Sequence, residues 1–550
     1  MGGVDDDPPE TPMFKSKLGL VLSCLGCVIG TGNIWRFPRI VAQNSGEEGG
    51  LAFLLVWALG LWVWSIPVIL IEYAVGRYSR KTVVGAFEHF HGPWYVWMGG
   101  WMAIATLGVA GYYAVIVGWC FYYTAFSCFN SLPTTLNESR TEWDYLQDSN
   151  WPIVCHAIGC VLAGISIIKG VKTIETINKI IVPLLLVIVL FSTAWALSLQ
   201  YAYEGITYLF SPDWSVLKTP QAWIDAVTQN AWDTGAGDGL FLTYATYMRR
   251  HDGIVSMGTV TPIANNFVSL CCGIMTFCNV FSVLSLTGYT RREIVPILKD
   301  SGPAATGLTF IWMPLLYAEM TAGRFLAVLF FLSLAFAGFS SLIATFELLA
   351  LVLENMGVSR IVSAIVVTIV TFGIGAPSAL DVNYLVGQDE VWSFALIPSG
   401  LMLVGLVVKF GADRFRAVCV NEFGTDDWKL RKAWNFAIMI VTPLVGLTVL
   451  IWWIVDTIKD VPDWYTFEMD SLMMTFLQWG IAFILLLNAN HIYARYFSRN
   501  STNKGRPNKE NVELASSQLP KKSMKEETET SGLFDSQAED SSFIKSTSSV

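Results

Sequence analysis

The stretch GCVIGTGNIWRFP, Gly26–Pro38, follows an apolar run, KLGLVLSCL, that is typical of the start of a transmembrane helix. At about the depth of the bilayer centre, residues 30–33 are Gly-Thr-Gly-Asn, which loosen a helix, and Arg36 follows them. A backbone polar group without a partner in lipid costs several kcal/mol, so an interruption there must line a polar cavity or contact protein. The stretch therefore predicts that the first span is broken at residues 30–33.

A second apolar run, the sixth along the chain, contains a matching interruption, NAWDTGAGDGLFLTYATY, Asn230–Tyr247. Its centre holds a Gly-Ala-Gly-Asp-Gly segment, residues 235–239, directly after Asp233 and Thr234. A broken helix exposes N–H groups that attract a carboxylate and carbonyl oxygens that suit a small hard cation. One break is explained by a kink or by close helix packing. Two breaks five helices apart, both with polar side chains, indicate the binding site of a transporter.

Composition indicates that the whole chain is a membrane protein. Of 550 residues, 53% are hydrophobic and only 14% are charged, whereas a soluble domain has about 25% charged residues. About twelve runs are long enough to span a bilayer. They lie at residues 17–42, 50–76, 96–127, 152–169, 178–200, 222–249, 257–288, 324–355, 359–375, 390–410, 433–456 and 470–498. The distribution of Lys and Arg predicts that both termini face the cytoplasm, and we expect the plasma membrane as the location.

Several motifs together resemble the neurotransmitter:sodium symporters. They are GCVIGTGNIWRFP, IEYAVGRY in the second span, GYYAVIVGW in the third, the broken sixth span and AFAGFSSLIA in the eighth. The resemblance implies an all-α LeuT fold with two discontinuous helices, in which spans 1–5 and 6–10 form an inverted 5+5 repeat and two spans follow. The implied parts are a cytoplasmic segment 1–16, a first repeat 17–200, a second repeat 201–410, two further helices 411–498 and a disordered cytoplasmic tail 499–550.

The resemblance also implies two sodium sites and a substrate pocket between the breaks. The first sodium site would use Val28, Asn33, Asp233 and Asn265, and the second would use Gly26, Ile29, Ala337, Ser340 and Ser341. The pocket would be lined by Cys27, Gly30, Thr31, Val109, Tyr113, Trp232, Gly235, Asp238, Ser341 and Thr345. Arg36 and Glu390 match an outer gate, and Tyr247 matches a tyrosine of the inner gate. The arginine expected before the first span is missing, since Pro8–Thr11 occupies that region.

The substrate implied is an amino acid or a related small solute, imported with sodium. Gly30 leaves room for a substrate carboxylate, which favours an amino acid. Asp233 and Asp238 depart from the family pattern, and an amine or quaternary ammonium solute is the alternative. A receptor or trafficking protein that keeps the fold without transporting is a second alternative. Glu347 stands where members of the family often have an amide. Its role is either that of a proton-linked acid or that of a structural acid that is protonated or paired with an amide.

The same resemblance bears on chloride through four residues, Trp57, Gln229, Asp233 and Ser269. Gln229 and Ser269 fit a chloride site. Trp57 replaces the tyrosine of that site, and Asp233 stands where a hydroxyl residue is expected. An ionised Asp233 beside sodium would repel chloride, so we expect transport that does not require chloride.

Further expectations concern partners and modification. Asn137 begins an Asn-Glu-Ser glycosylation acceptor in a predicted outer loop. Cys128 and Cys155 flank that loop, either as a disulfide or as free thiols. Ser548–Val550 suits a PDZ domain. The chain shows no enzyme-like nucleophile and base, and His89 and His91 alone make no metal site. We expect no nucleic-acid partner.

Overall fold

The computed structural model describes residues 12–299, 306–469 and 471–503, and every regular element in those ranges is a helix. The first half forms α1 (Lys17–Val28), α2 (Thr31–Ile34), α3 (Arg36–Gln43), α4 (Leu51–Gly60), α5 (Ile66–Ser79), α6 (Val83–His91), α7 (Val96–Phe129), α8 (Leu136–Asp148), α9 (Trp151–Ile167), α10 (Val171–Leu197) and α11 (Ala202–Phe210). The second half forms α12 (Pro220–Thr234), α13 (Leu240–Ala245), α14 (Ile254–Leu286), α15 (Arg291–Lys299), α16 (Met313–Ala318), α17 (Gly323–Asn355), α18 (Arg360–Leu380), α19 (Val382–Phe394), α20 (Leu396–Phe410), α21 (Ala412–Phe415), α22 (Ala433–Phe436), α23 (Thr442–Asp460) and α24 (Leu472–Asn503).

Shorter helical turns extend these elements. 3-10 helices lie at Pro93–Tyr95 and Trp214–Lys218, and π-helical turns lie at Leu61–Ser65, Leu308–Trp312, Arg416–Glu422 and Ala437–Val441. The described residues up to Asn490 form one unit, and the described residues from His491 onward belong to the end of α24.

The helices account for all the predicted spans. Nine helices in the described ranges are long and apolar enough to cross a membrane, and α9 makes a tenth when it is counted with α8, to which it is bent by 67°. The two other predicted spans are the interrupted ones, formed by α1–α3 and by α12–α13, whose separate pieces are short. The prediction of an all-α membrane protein is confirmed.

The first break is shorter than the sequence predicts. Helix α1 ends at Val28 and α2 begins at Thr31, so only Ile29 and Gly30 are outside the helices, and the Thr-Gly-Asn of residues 31–33 is helical. The reason is a side-chain cap, because the Gly30 N–H donates to Asn33 Oδ1 at 2.8 Å. This bond satisfies a helix-terminal N–H that has no backbone partner and starts the new helix directly after Gly30.

The second break lies where the sequence predicts it. Helix α12 ends at Thr234 and α13 begins at Leu240. Between them, Gly235, Gly237 and Gly239 have φ values of 61°, 106° and 81°. A side chain disfavours such conformations, which glycine adopts readily.

Glu72, a buried acid of α5, holds the second half of this span. Its Oε1 accepts a hydrogen bond from the Gly237 N–H at 2.8 Å, and its Oε2 accepts from the Phe241 and Leu242 N–H groups at 3.2 and 3.4 Å. The carboxylate thus caps the amino end of α13, where the helix dipole favours negative charge. Gly76 allows α5 to lie this close to α13, because a Cβ at Gly76 would lie 2.1 Å from the Leu242 carbonyl oxygen.

Gly237→Ala should destabilise the fold. The alanine would have a disfavoured positive φ, and its Cβ would lie 2.8 Å from the Leu396 carbonyl oxygen. We expect the free energy of unfolding to fall by about 2 kcal/mol or more. Gly373→Ala in α18 is the matched control, because a Cβ there meets no atom within 4 Å. Thermal unfolding of the purified protein in detergent should show a lower Tm for the first variant only. Equal Tm values for both variants would contradict the role given to the break.

Candidate functional site

A cavity of about 60 Å³ lies between the two breaks. Its lining residues are Cys27, Val28, Gly30, Gly32, Asn33, Val109, Tyr113, Trp232, Asp233, Gly235, Asp238, Leu240, Ser341 and Thr345. This set contains every predicted pocket residue except Thr31. It also contains Gly32 and Leu240, which the sequence analysis did not select. Residues from α1, α2, α7, α12, α13 and α17 thus meet at one point, which is where transporters with broken helices bind their solute.

Thr31 is not among the lining residues, but it contacts one of them. Its N–H and its hydroxyl oxygen lie 3.1 and 3.3 Å from the Tyr113 hydroxyl oxygen. A Cβ on Gly30 would lie 2.9 Å from the same oxygen and 3.2 Å from Ser341 Oγ. Gly30 therefore keeps open the space next to two hydroxyl groups, as the sequence analysis expects for a substrate carboxylate.

Trp232 and Arg36 lie together at another side of the cavity. The guanidinium carbon of Arg36 is 5.3 Å from the centre of the Trp232 ring, within the range of a cation–π interaction. Glu390, the predicted partner of Arg36, is half-buried in α19. The pairing of Arg36 with Glu390 as an outer gate stays a prediction.

The residues predicted for the first sodium site form one connected group. Asn33 Nδ2 donates to Asn265 Oδ1 at 2.8 Å and to Ser269 Oγ at 2.7 Å. The Ser269 hydroxyl donates to Asp233 Oδ2 at 3.2 Å. Val28 lines the cavity beside them. Ser269, predicted for the chloride region, is here a direct neighbour of the sodium residues. Carboxylate, amide and hydroxyl oxygens are the ligands that hard cations prefer.

The residues predicted for the second sodium site meet where α1 contacts α17. Ser341 Oγ lies 3.4 Å from the Gly26 carbonyl oxygen and 3.3 Å from the Ala337 carbonyl oxygen. The Ser340 hydroxyl donates to Ala337 within its own helix at 3.0 Å. Ile29 follows α1 at the first break. Three oxygens from two helices therefore converge, which a hydrogen bond within one helix would not require.

Asp233 places a carboxylate in the region that the sequence analysis considered for chloride. Asp233 and Gln229 are both buried in α12. Trp57 of α4 packs its ring 4.5 Å from the Phe37 ring, and its carbonyl oxygen accepts a hydrogen bond from the Asn230 amide. The Trp57 indole thus packs against the first span at Phe37.

Asp238 faces the cavity with an oxygen that lacks a partner. Its Oδ1 is buried and makes no hydrogen bond with the described residues. Its backbone carbonyl accepts from the Thr106 hydroxyl at 3.2 Å, which fixes the main chain of the break. The lining residues include no Lys or Arg. A carboxylate in such a position is available to a group on the solute.

Glu347 is not paired with an amide, which was one of the roles considered for it. In the structure it is buried in α17 and forms an ion pair with Arg360 and a hydrogen bond with Tyr247. The sequence analysis missed Arg360. The signal available was the acid itself, because a buried carboxylate in an apolar helix requires a cation or several donors.

The remaining predictions concern sites outside the cavity. Asn137 is exposed on α8, so the outer loop contains a helix, and the Ser139 hydroxyl is buried and donates to the Ile311 carbonyl at 2.6 Å. Cys128 and Cys155 are free, as are the other cysteines. In the described ranges no cluster of His, Cys, Asp and Glu forms a metal site. The predicted PDZ ligand Ser548–Val550 and the region of Pro8–Thr11 lie outside the described residues.

Two broken membrane helices around a shared central cavity define a class of protein, the secondary transporters. Comparison with known proteins gives the particular family. A family model described as "Sodium:neurotransmitter symporter family" matches residues 11–147 and 140–497. The chain therefore belongs to the sodium:neurotransmitter symporter family. It is a sodium-coupled membrane transporter and not an enzyme.

Individual relatives agree with this assignment. An uncharacterized sodium-dependent transporter of Methanocaldococcus jannaschii is 28% identical over 79% of this chain and 89% of its own length. A sodium- and chloride-dependent GABA transporter of Drosophila melanogaster is 24% identical over 64% of this chain and 42% of its own length. The crystal structure of MhsT in complex with L-phenylalanine is similar with a TM-score of 0.68 and 25% identity, over 80% of this chain and 99% of that chain. The LeuT fold that the sequence predicts is confirmed.

Ser341→Ala and Asn33→Ala should each weaken the dependence of transport on sodium. Each change removes an oxygen-bearing side chain from one of the two groups, and a lost ligand of this kind costs about 1–2 kcal/mol. We expect the sodium concentration for half-maximal uptake to rise by about tenfold, measured as uptake at normal surface expression. Ser363→Ala in α18 is the control, because it removes a fully buried hydroxyl that lies outside the cavity lining. Sodium activation curves that coincide with wild type for both variants would exclude these ligand assignments.

Proposed function

We propose that this protein imports a small amino acid together with sodium across the plasma membrane, with both termini in the cytoplasm. The observation that carries the proposal is the cavity itself. It is enclosed by both breaks, it is small, and its wall presents Asp233, Asp238 and hydroxyl groups without a Lys or Arg in the lining. A volume of about 60 Å³ holds only a few water-sized groups, which favours a short solute.

The two ends of the cavity suit the two parts of an amino acid. Gly30 leaves space beside the Tyr113 and Ser341 hydroxyl groups for an α-carboxylate, which a sodium ion bound nearby would attract. Asp238 supplies a carboxylate oxygen for the side chain. The side chain is therefore short and carries a hydrogen-bond donor or a positive charge, because an apolar group would leave the Asp238 oxygen buried without a partner.

A second candidate is an amine or quaternary ammonium solute. The observation that favours it is Asp233, which lies within the first sodium group through Ser269. A carboxylate supplied by the protein makes a carboxylate on the solute unnecessary. Uptake by proteoliposomes, with and without a sodium gradient, separates the candidates when short polar amino acids, their decarboxylated amines and choline are compared. Binding of a solute without translocation of any of them would instead favour a receptor.

Asp238→Phe should change the substrate preference. The substitution replaces a carboxylate by an apolar ring, so hydrophobic amino acids should gain relative to polar ones by about tenfold, which corresponds to about 1.4 kcal/mol. The measurement is competition of unlabelled amino acids against uptake of the best wild-type substrate. Asp238→Asn is the matched control, since it keeps the shape and removes the charge. An unchanged profile in both variants would mean that Asp238 does not contact the solute.

Chloride independence is the second part of the proposal. At about 4 Å and an effective dielectric constant of about 20, two unit charges interact by about 4 kcal/mol. An ionised Asp233 would therefore attract a sodium ion at the Asn33–Asn265 group and repel an anion at the same place. The Drosophila relative is named as chloride-dependent, so the family name does not decide the question for this chain.

Uptake should be the same in chloride and in gluconate at fixed sodium. Asp233→Ser removes the fixed negative charge, and the variant should be inactive or should require chloride. Asp225→Ser is a control, because Asp225 lies in the same helix α12 but outside the cavity lining. A strict chloride requirement of the wild-type protein would contradict the role of Asp233.

A further inference from the structure

Four buried asparagines form a continuous chain of side-chain hydrogen bonds, which we call the amide chain. Asn33 Nδ2 of α2 donates to Asn265 Oδ1 of α14 at 2.8 Å. Asn265 Nδ2 donates to Asn266 Oδ1 at 3.4 Å, the longest contact of the chain. Asn266 Nδ2 in turn donates to Asn230 Oδ1 of α12 at 2.9 Å. The predicted first sodium site contains Asn33 and Asn265, and the other two asparagines have no assigned role.

The far end of the amide chain is fixed by the main chain. Asn230 Nδ2 donates to the Trp57 carbonyl oxygen of α4 and to the Ala226 carbonyl oxygen of α12, the latter at 3.1 Å. A carbonyl oxygen only accepts hydrogen bonds, so the nitrogen of the Asn230 amide must face it. Gly60 leaves room for this contact, because a Cβ at Gly60 would lie 2.9 Å from Asn230 Nδ2. The orientation of the Asn230 amide is therefore set by α4 and α12.

This orientation passes along the amide chain to Asn265. Because Asn230 presents its oxygen to Asn266, the Asn266 amide must present its nitrogen in return, and its own oxygen then faces Asn265. Asn265 and Asn266 are consecutive in α14 and point about 100° apart, so one reaches α2 and the other α12. The Asn265 amide is thus held with Nδ2 toward Asn266 and with Oδ1 toward the first sodium site. Turning any of these amides over would place two oxygens or two N–H groups together, which is costly in a buried site.

Asn33 holds Asn265 from the other side, but a bound sodium ion competes with that contact. Asn33 Oδ1 accepts from the Gly30 N–H, and Asn33 Nδ2 donates to Asn265 Oδ1. A sodium ion at Asn265 Oδ1 and the Asn33 N–H group are both positive and approach the same oxygen. The contacts of Asn265 with Asn266 lie on the nitrogen side of the amide, and an ion at the oxygen leaves them in place.

We propose that Asn230 and Asn266 are positioning residues that keep the Asn265 oxygen turned toward the first sodium ion. The inference rests on the prediction that Asn265 is a ligand of that ion. An amide turned the other way would present its N–H groups to the cation and lose the ligand. Sodium affinity therefore depends on Asn230, a residue whose side chain reaches Asn265 only through Asn266.

Two substitutions of Asn230 separate orientation from packing. Asn230→Leu keeps a similar volume but offers Asn266 Nδ2 no acceptor, so the amide chain loses its fixed end. Asn230→Asp keeps the shape and, in either protonation state, still presents an oxygen to Asn266 Nδ2. The first variant should therefore weaken sodium binding and the second should preserve it. Both change the contact with the main chain of α4, so a role in packing alone would not separate them.

A double variant, Asn230→Leu with Asn266→Leu, removes the unpaired Asn266 nitrogen that the single leucine variant leaves behind. Replacing both partners of a buried hydrogen bond by apolar groups is nearly neutral for stability. The Tm of the double variant should thus recover toward the wild-type value. Its sodium affinity should stay low, because Asn265 still has no oriented neighbour. This variant also tests the proposal if Asn230→Leu alone does not fold.

The measurement is binding of radioactive sodium to the purified full-length protein in detergent, without substrate, together with thermal unfolding. The sodium concentration for half-maximal binding should rise by about tenfold in Asn230→Leu and in the double variant. It should stay within about threefold of wild type in Asn230→Asp. Asn279→Leu is the matched control, because Asn279 is a buried asparagine of the same helix that donates to the Tyr317 hydroxyl at 3.4 Å. It lies about 21 Å along α14 from Asn265, and its loss should leave sodium binding unchanged.

Three results would overturn the proposal. They are equal sodium affinities of Asn230→Leu and Asn230→Asp, recovery of sodium affinity together with Tm in the double variant, and a shift in Asn279→Leu as large as in Asn230→Leu. Asn33→Ala separates this inference from the ligand assignment. A shift in Asn33→Ala without one in Asn230→Leu would overturn the positioning role alone, whereas no shift in either variant would overturn the ligand assignment as well.

Discussion

The hydrogen bonds that Glu72 accepts from Gly237, Phe241 and Leu242 are the interaction on which the rest of the structure depends. A membrane helix can stop and restart only if the freed N–H groups find acceptors, because lipid offers none. The side chain of one acid in α5 provides them, because both of its oxygens accept hydrogen bonds from the N–H groups of the second break. The arrangement requires α5 to lie directly against α13, which explains why Gly76 faces the Leu242 carbonyl. The cavity exists because this contact keeps the second break stable.

The first break uses the same principle with a neutral group, and there the capping residue, Asn33, is also a predicted sodium ligand. Asn33 accepts from the Gly30 N–H through its oxygen and donates through its nitrogen to Asn265 and Ser269. A cation bound at this group competes for the oxygens that the Asn33 amide now contacts. If sodium binds at this group, as the ligand assignment predicts, its binding and the geometry of the first break are coupled through the Asn33 side chain, which also lines the solute cavity.

Hydropathy and glycine positions predict the spans and the second break. They do not predict features that depend on side-chain contacts between residues. Hydropathy gave the twelve spans, and the glycines of residues 235–239 gave the second break, since positive φ values need glycine. The first break was predicted too long because the sequence pattern does not show that the Asn33 side chain turns back to Gly30. Thr31 is predicted for the pocket, but it contacts the Tyr113 hydroxyl and is not among the lining residues. Arg360 was missed because its partner Glu347 is in another helix, and pairing between helices leaves no spacing in the sequence.

Four buried carboxylates surround the centre of the molecule, and their partners divide them into two kinds. Glu72 is satisfied by backbone N–H groups, and Glu347 by Arg360 and Tyr247. These two acids are fully matched by the protein and hold elements together. Asp233 and Asp238 line the cavity, whose lining contains no Lys or Arg, and Asp238 keeps an oxygen without a partner among the described residues. Charge left unmatched in a low-dielectric site is expensive unless the missing partner is a bound ion or solute. The cavity therefore holds two acids that no Lys or Arg of its lining matches, and the proposed sodium ion and hydrogen-bond-donating solute would supply the missing partners.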